Sequence, residues 1–283
     1  MINTWWLKII AKLILSRLPV KYIIWKKLGF FKHGAMDQNE YAINIFNQHT
    51  KNANLFGKLE GKLILELGPG DSIATALLSY AYGGRAILID TGNYIGDEIK
   101  PYLDLANKLR IRGLRVPDLS DALTVTDILD RCNAEYLMKG ISSFNKIQSS
   151  SIDFIFSQAV LEHIKKRTFN KTIHECYRVL KPSGTCSHLI DLKDHLCGGL
   201  NHLRFNSKIW ESKLFNNSGY YTNRLRHKEM IDIFRKARFN VKEISVNKWN
   251  HLPISKNLIN QQFQDIHKND LLIKEFEVLL FIK

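Results

Sequence analysis

A chain of 283 residues with 45% hydrophobic and 11% aromatic residues is long enough to bury a large core, and global disorder is excluded. The formal net charge is +14, and seven of the basic residues (Lys8, Lys12, Arg17, Lys21, Lys26, Lys27 and Lys32) fall within residues 1–36, which hold no Asp or Glu. Cys132, Cys176, Cys186 and Cys197 form no C-x-x-C pair; a disulfide framework is not expected, and ordinary thiols in a reducing cytoplasm are.

Residues 1–36 form a basic amphipathic N-terminal segment ahead of one catalytic-sized domain at 37–283. A membrane span needs about 20 mostly apolar residues, and here a basic residue interrupts each apolar run. A signal peptide fits no better. Two readings remain: a helix lying on an anionic membrane surface, peripheral at the inner membrane, and a helix packed over the fold with a solvated basic face.

Past this segment, residues 41–56 have helical spacing, and the period then changes to a short buried run at 58–67. The pattern continues as helix (71–83), strand (85–90), helix (100–113), further helix (120–133), short strand (135–140), strand (151–158), helix (166–180) and strand (184–191). Such alternation predicts an α/β, doubly wound, Rossmann-like sheet with helices on both faces. Residues 192–226 then form a polar and aromatic connection far longer than an ordinary loop. A helix follows at 227–239, and two last strands, 240–249 and 275–283, enclose a second insertion at about 250–274 that reads as helical from 254. The late return predicts one antiparallel strand, completing a seven-stranded, mostly parallel sheet.

In such a sheet ligands bind beyond the carboxyl ends of the strands. The first strand runs into LELGPGDS, residues 65–72. Gly68 and Gly70 begin a dinucleotide fingerprint, but Ile73 stands at its third glycine. The turn also offers Glu66, Asp71 and an N–H-less proline where a pyrophosphate needs free N–H groups. Two anions about 4 Å apart repel by roughly 4 kcal/mol at an effective dielectric near 20. A cationic ligand without phosphates fits this turn better. The second strand ends in Asp90, twenty residues past Gly70, and its carboxylate can accept hydrogen bonds from both hydroxyls of a ribose.

LELGPGDS, AILID, YLMKG, SIDFIFSQAVLEHI and ECYRVLKPSGT, in this order over about residues 60–190, resemble the successive motifs of class I S-adenosylmethionine-dependent methyltransferases of the type 11 kind. SHLIDLKDHLCGGLNHLRF, IWESKLF and GYYTNR are similar to a bacterial subgroup associated with polysaccharide and cell-surface glycan biosynthesis. The resemblance implies S-adenosyl-L-methionine as cofactor. Glu66 would hold its ammonium through water, Gly68 and Gly70 would let the backbone approach, and Asp90, with Thr91 beside it, would bind ribose. Gly140, Ile141, Ser157 and Gln158 would border its adenine and methionine portions. Ile141 departs from a frequent family Asp, so the adenine amino group would need Ser142 or a backbone carbonyl.

Methyl transfer from a sulfonium is an in-line displacement in which alignment supplies about 7–11 kcal/mol. A hydroxyl acceptor also needs a base, and His suits that work near neutral pH. His195, oriented by Asp191 or Asp194, is the first candidate, and His163 its rival. Asp191, Asp194 and His195 also have the donor types of a divalent metal site but no ligand spacing signature, and no metal is expected. Arg204, Trp210, Tyr221 and Arg224 offer planar donors and aromatic faces suited to a sugar or an anionic conjugate, although Trp210 and the tyrosines fit an insertion core equally well. No N-P-P-Y element of amino-directed enzymes occurs, which favours an oxygen acceptor on a glycan or its activated or lipid-linked precursor. RNA or small-molecule methylation, or a non-catalytic module that binds the methyl donor, are the alternatives. The basic excess sits in an apolar segment rather than among stacking aromatics, against nucleic acid as a partner.

Overall fold

The computed structural model describes residues 5–15 and 38–282. Most of the basic N-terminal segment, residues 16–36, lies outside them. Helix α1, Trp5–Leu15, precedes α2, Asn39–Asn52. There follow β1 (Leu63–Leu67), α3 (Ala74–Ala81), β2 (Arg85–Ile89), α4 (Lys100–Ile111), α5 (Val125–Arg131), β3 (Glu135–Leu137), β4 (Ile152–Gln158), α6 (Lys166–Val179) and β5 (Leu180–Asp191). The chain closes with α7 (Ser207–Trp210), α8 (Lys213–Asn216), α9 (His227–Lys236), β6 (Phe239–Lys248), α10 (Lys268–Leu271) and β7 (Ile273–Ile282). One seven-stranded sheet runs in the order β3-β2-β1-β4-β5-β7-β6. The pairs among β1–β5 are parallel, and β7 is antiparallel to both β5 and β6. The chain is therefore a Rossmann-like α/β fold of the predicted kind, with β7 as its one reversed strand.

Strands covered on both faces read as continuous apolar runs. In β1 the pleat sends Ile64 into a core with Phe46, Leu77, Leu105 and Phe156, while Leu65 and Leu67 enter the opposite core with Phe169, Ile173 and Phe234. Phe154 and Phe156 of β4 likewise face the first core and Ile155 the second. Helix α5 starts on a capping box: Thr124 Oγ1 accepts from the N–H of Asp127 (3.1 Å), and the Asp127 carboxylate accepts from the N–H of Thr124 (2.8 Å).

Two boundaries differ from the sequence reading. Strand β5 begins pairing at Leu180 and reaches its main register with β4 only from Thr185, because an irregularity absorbs the Lys-Pro-Ser-Gly stretch. Residues 254–274 form not one helix but two short 3-10 turns, Lys256–Leu258 and Gln261–Phe263, and the four-residue α10. Leu200 and Leu203 of the first insertion pack there against Ile254, Ile259, Phe263 and Leu271 of the second. The two insertions thus share a core above the sheet edge.

Helix α1 docks on the first insertion. Ile9 is buried, with Trp5 and Leu13 beside it, against Leu196, Trp210, Phe215, Tyr220 and Tyr221. Trp5 meets Phe205 edge to face (ring centroids 6.0 Å apart), and the Arg204 guanidinium lies over Trp5 (5.2 Å). The packed-helix reading thus describes one face of α1. The outer face leaves Trp6, Leu7 and Ile10 about half exposed. No helix among the described residues is long and apolar enough to cross a membrane.

Candidate active site

The glycine turn after β1 is held by backbone geometry. Gly68 and Gly70 both have positive φ (+68° and +65°), in the left-handed region open chiefly to glycine. The Gly68 N–H donates to the carbonyl of Ile89 (2.8 Å), and the Gly70 N–H donates to Asp90 Oδ2 (3.2 Å). Asp90 Oδ1 accepts from the N–H of Thr91 (2.6 Å). The Thr91 hydroxyl also donates to Asp90 Oδ1 (3.4 Å), so both carboxylate oxygens are held at the strand end. The Gly140 N–H donates to the Asp90 carbonyl (2.8 Å), and Thr91 Cγ2 lies 3.3 Å from where a Cβ on Gly140 would stand. Gly68, Gly70, Asp90, Thr91 and Gly140 therefore converge at the carboxyl ends of β1, β2 and β3. Ile141, whose side chain packs on the core, and the exposed Ser142 continue from Gly140 into a 3-10 turn, Gly140–Lys146.

Glu66 lies beneath this turn, fully buried. Burial, with the charge of Asp90 adding to it, pushes its carboxyl up to about 8. A carboxyl kept largely neutral until a cation arrives suits an ammonium-bearing ligand and penalises a phosphate.

On the other side, β4 ends in Ser157 and Gln158, followed by Ala159 at positive φ (+52°). This kink lays Val160 on the glycine turn so closely that its Cγ2 lies 2.5 Å from where a Cβ on Gly68 would stand. Ser157 Oγ is hydrogen-bonded to His188 Nδ1 (2.8 Å), a buried contact that turns its hydroxyl into the sheet rather than toward the turn. His49 of α2 joins Ser187 (2.7 Å) to Gln158 Oε1 (3.0 Å). Burial holds His49 down at about 4 and His188 at about 3, so both rings are neutral near pH 7. His49, Ser187 and His188 come from two distant segments, and no local pattern announces them.

The 3-10 turn Leu161–His163 follows, clamped by Asn223. The Asn223 side-chain amide donates to the carbonyls of Leu161 (2.8 Å) and Ile164 (3.0 Å), and its backbone N–H donates to the carbonyl of Glu162 (2.7 Å). His163 Nδ1 bonds the carbonyl of Tyr221 (2.8 Å), and its ring stacks on that of His195, centroids 4.7 Å apart. The two candidate bases thus stand side by side.

The remaining predicted acceptor-side residues are placed differently. Asp194 spends its buried carboxylate on the loop, accepting from the N–H groups of Leu196 (3.0 Å), Cys197 (2.7 Å) and Asn201 (2.6 Å). Asp191 accepts from the N–H of Lys193 (2.8 Å) and pairs with its ammonium (3.1 Å). These bonds organise the start of the insertion. Among the described residues, the cluster of metal-ligating groups is Glu162, His163 and His195. Trp210, Tyr221 and Arg224 are buried: Trp210 Nε1 donates to the Thr222 carbonyl (2.7 Å), Tyr221 Oη to Glu211 (2.8 Å), and the Arg224 guanidinium lies over Trp210 (5.3 Å) and Phe263 (4.9 Å). They build the insertion instead of lining an open sugar site; Arg204 alone of the four is half-exposed.

The fold and site thus combine a Rossmann-like sheet, a glycine turn held to the acidic end of the second strand, and two stacked imidazoles past the fourth strand. Residues 118–187 match a family model described as a methyltransferase domain. No curated protein matches the chain. Similar solved structures include phosphoethanolamine N-methyltransferase 2 of Haemonchus contortus, in complex with phosphomonomethylethanolamine and S-adenosylhomocysteine (16% identity, TM-score 0.44, covering 83% of this chain and 52% of that one). Another is a SAM-dependent methyltransferase from Archaeoglobus fulgidus (10% identity, TM-score 0.46, covering 84% and 93%). A third is an arsenic(III) S-adenosylmethionine methyltransferase from Chlamydomonas reinhardtii (15% identity, TM-score 0.44, covering 80% and 64%). The chain spans about half the length of the first, 52%.

Proposed function

We propose that the protein is an S-adenosyl-L-methionine-dependent methyltransferase acting on a hydroxyl of a small or glycan acceptor. The observation that carries the reading is the pairing of a ribose-ready Asp90 with a buried Glu66 under the glycine turn. That arrangement accepts a nucleoside carrying positive charge and repels a pyrophosphate. The methyl donor would extend from Asp90 and the Gly140 turn across Gly68 and Gly70 toward the end of β4. Its sulfonium would then face the cleft of His163 and His195. When bound, the donor would supply a methyl carbon open to in-line attack by the acceptor oxygen, with the carbon–sulfur electron pair returning to sulfur, and His163 or His195 would take the hydroxyl proton.

Resemblance supports a glycan or a lipid-linked precursor as acceptor, and the half-exposed outer face of α1 supports contact with a membrane surface from the cytoplasmic side. Calorimetric titration with S-adenosylmethionine and with NAD, each repeated on Asp90→Ala, tests the cofactor. Binding of the methyl donor alone, at least tenfold weaker in the variant, is expected. Binding of NAD alone would return the chain to the dinucleotide enzymes.

A further inference from the structure

The cleft beyond β4 and β5 contains a feature that direct proton transfer to an imidazole does not use. The Glu162 side chain is buried to within 1% of full exclusion, and no side chain among the described residues donates to its carboxylate, which faces only the backbone N–H groups of Glu162 and Asp191. An isolated buried carboxylate is costly, and burial pushes its acid well above the usual carboxylate range.

A carboxylate oxygen of Glu162 and one ring nitrogen each of His163 and His195 lie within 4.8 Å of one another. We infer that Glu162, His163 and His195 form a binding site for a divalent transition-metal ion of the zinc type, with a position left open toward the cleft for an acceptor oxygen. Two imidazoles and one carboxylate are a donor set that such ions take, and three protein ligands leave the fourth position free. Metal–nitrogen bonds of about 2.0–2.1 Å in tetrahedral geometry put ligand atoms roughly 3.3 Å apart. The half-buried His195 can close the remaining gap by rotating its side chain, while Glu162 and His163 stay fixed.

The supporting contacts suit this role. With Nδ1–H donated to the carbonyl of Tyr221, the lone pair of His163 lies on Nε2, the usual arrangement of a metal-ligating histidine and its carbonyl partner. Asn223 holds the intervening turn at three backbone groups, so Glu162 and His163 are fixed in mutual register. The inference concerns the same cleft as the proposed methyl transfer, but metal binding can be read without any methyl donor, and the two readings fail separately. With the ion in place the imidazoles act as ligands. In place of the base role proposed above, the bound ion would lower the pKa of the acceptor hydroxyl, and its proton would pass to solvent water.

The test is calorimetric titration of the chelator-treated full chain with Zn2+ and Mn2+, together with the visible absorption of the Co2+ form. Wild type, Glu162→Gln and His163→Ala are compared. One ion per chain is expected, with affinity at least 30-fold weaker in each variant and the four-coordinate cobalt band lost. His163 is exposed, so His163→Ala keeps the test sound if Glu162→Gln folds poorly. Absence of stoichiometric binding, or equal affinity in wild type and His163→Ala, would overturn the site.

Discussion

The carboxyl edge of the sheet is built by two methods. Over β1, β2 and β3 the site is made of backbone: short turns, glycines at positive φ, and N–H groups aimed at the Asp90 carboxylate. Over β4 and β5 it is made of side chains held by residues 192–226, whose aromatic core is completed by α1. The first construction is local and stiff, whereas the second depends on segments far apart in the chain. The glycine turn and its Asp90 contacts should therefore survive damage to the insertion, and the arrangement of His163 and His195 should not.

Trp210→Ala tests that independence most severely. It empties the centre of the insertion core and leaves the Thr222 carbonyl without its indole donor. A loss of about 3–5 kcal/mol in unfolding free energy is expected, with collapse of turnover, while calorimetric affinity of the remaining folded protein for S-adenosylmethionine changes less than threefold. A parallel collapse of cofactor affinity would erase the distinction between the two regions.

Gly68→Ala probes the seam between them. The new Cβ would meet Val160 at 2.5 Å in a backbone conformation of φ +68°, which costs a non-glycine residue about 1–2 kcal/mol before the clash is relieved. Cofactor affinity is expected to fall about 100-fold, roughly 2.7 kcal/mol, because the turn and the β4 exit must separate. Unchanged affinity in calorimetry would mean that the turn is not the cofactor's seat.

Glu66→Gln gives the smallest and most pH-specific effect. The folded carboxyl stands at about 8 against 4.5 for an unperturbed Glu, so the stability contributed by its neutral form is fully present below about 4.5 and lost as pH rises through about 8. The variant should match wild type in thermal denaturation at pH 5 and exceed it at pH 9. In wild type, affinity for the methyl donor should rise from pH 5 toward about pH 7.5, where its ammonium is still protonated and the carboxylate becomes available, and the variant should be about tenfold weaker at pH 7.5. A wild-type affinity independent of pH would remove Glu66 from ammonium recognition.

The same division governs what the amino-acid sequence discloses. β1 and β4 are legible because both of their faces are covered, which writes an unbroken apolar run, and the glycine turn is legible because its conformation demands a residue type. Residues 254–274 are not, since 3-10 turns of three residues are too short to display a period. Trp210 and Tyr221 have the same composition whether they line a sugar site or a core, and the burying partner, α1, is some 200 positions away. Glu162 beside His163 reads as an ordinary helix start; only its exclusion from solvent sets it apart, and that exclusion belongs to the fold. Ser157 is visible as a strand end, but its partner His188 comes from the adjacent strand.

Arg226 gives the two insertions a common fate. Its buried guanidinium donates to the carbonyls of Leu192 (3.0 Å), Asp270 (3.0 Å) and Leu271 (3.3 Å), and also to that of Ile273. The point where the chain leaves β5 and the point where it enters β7 are thus buckled to one side chain. Lengthening either excursion strains the fastener of the other, so the pair can be inherited or transplanted only as a single cassette. A change of acceptor within this scaffold would accordingly come from residue replacements inside the cassette rather than from exchange of one loop.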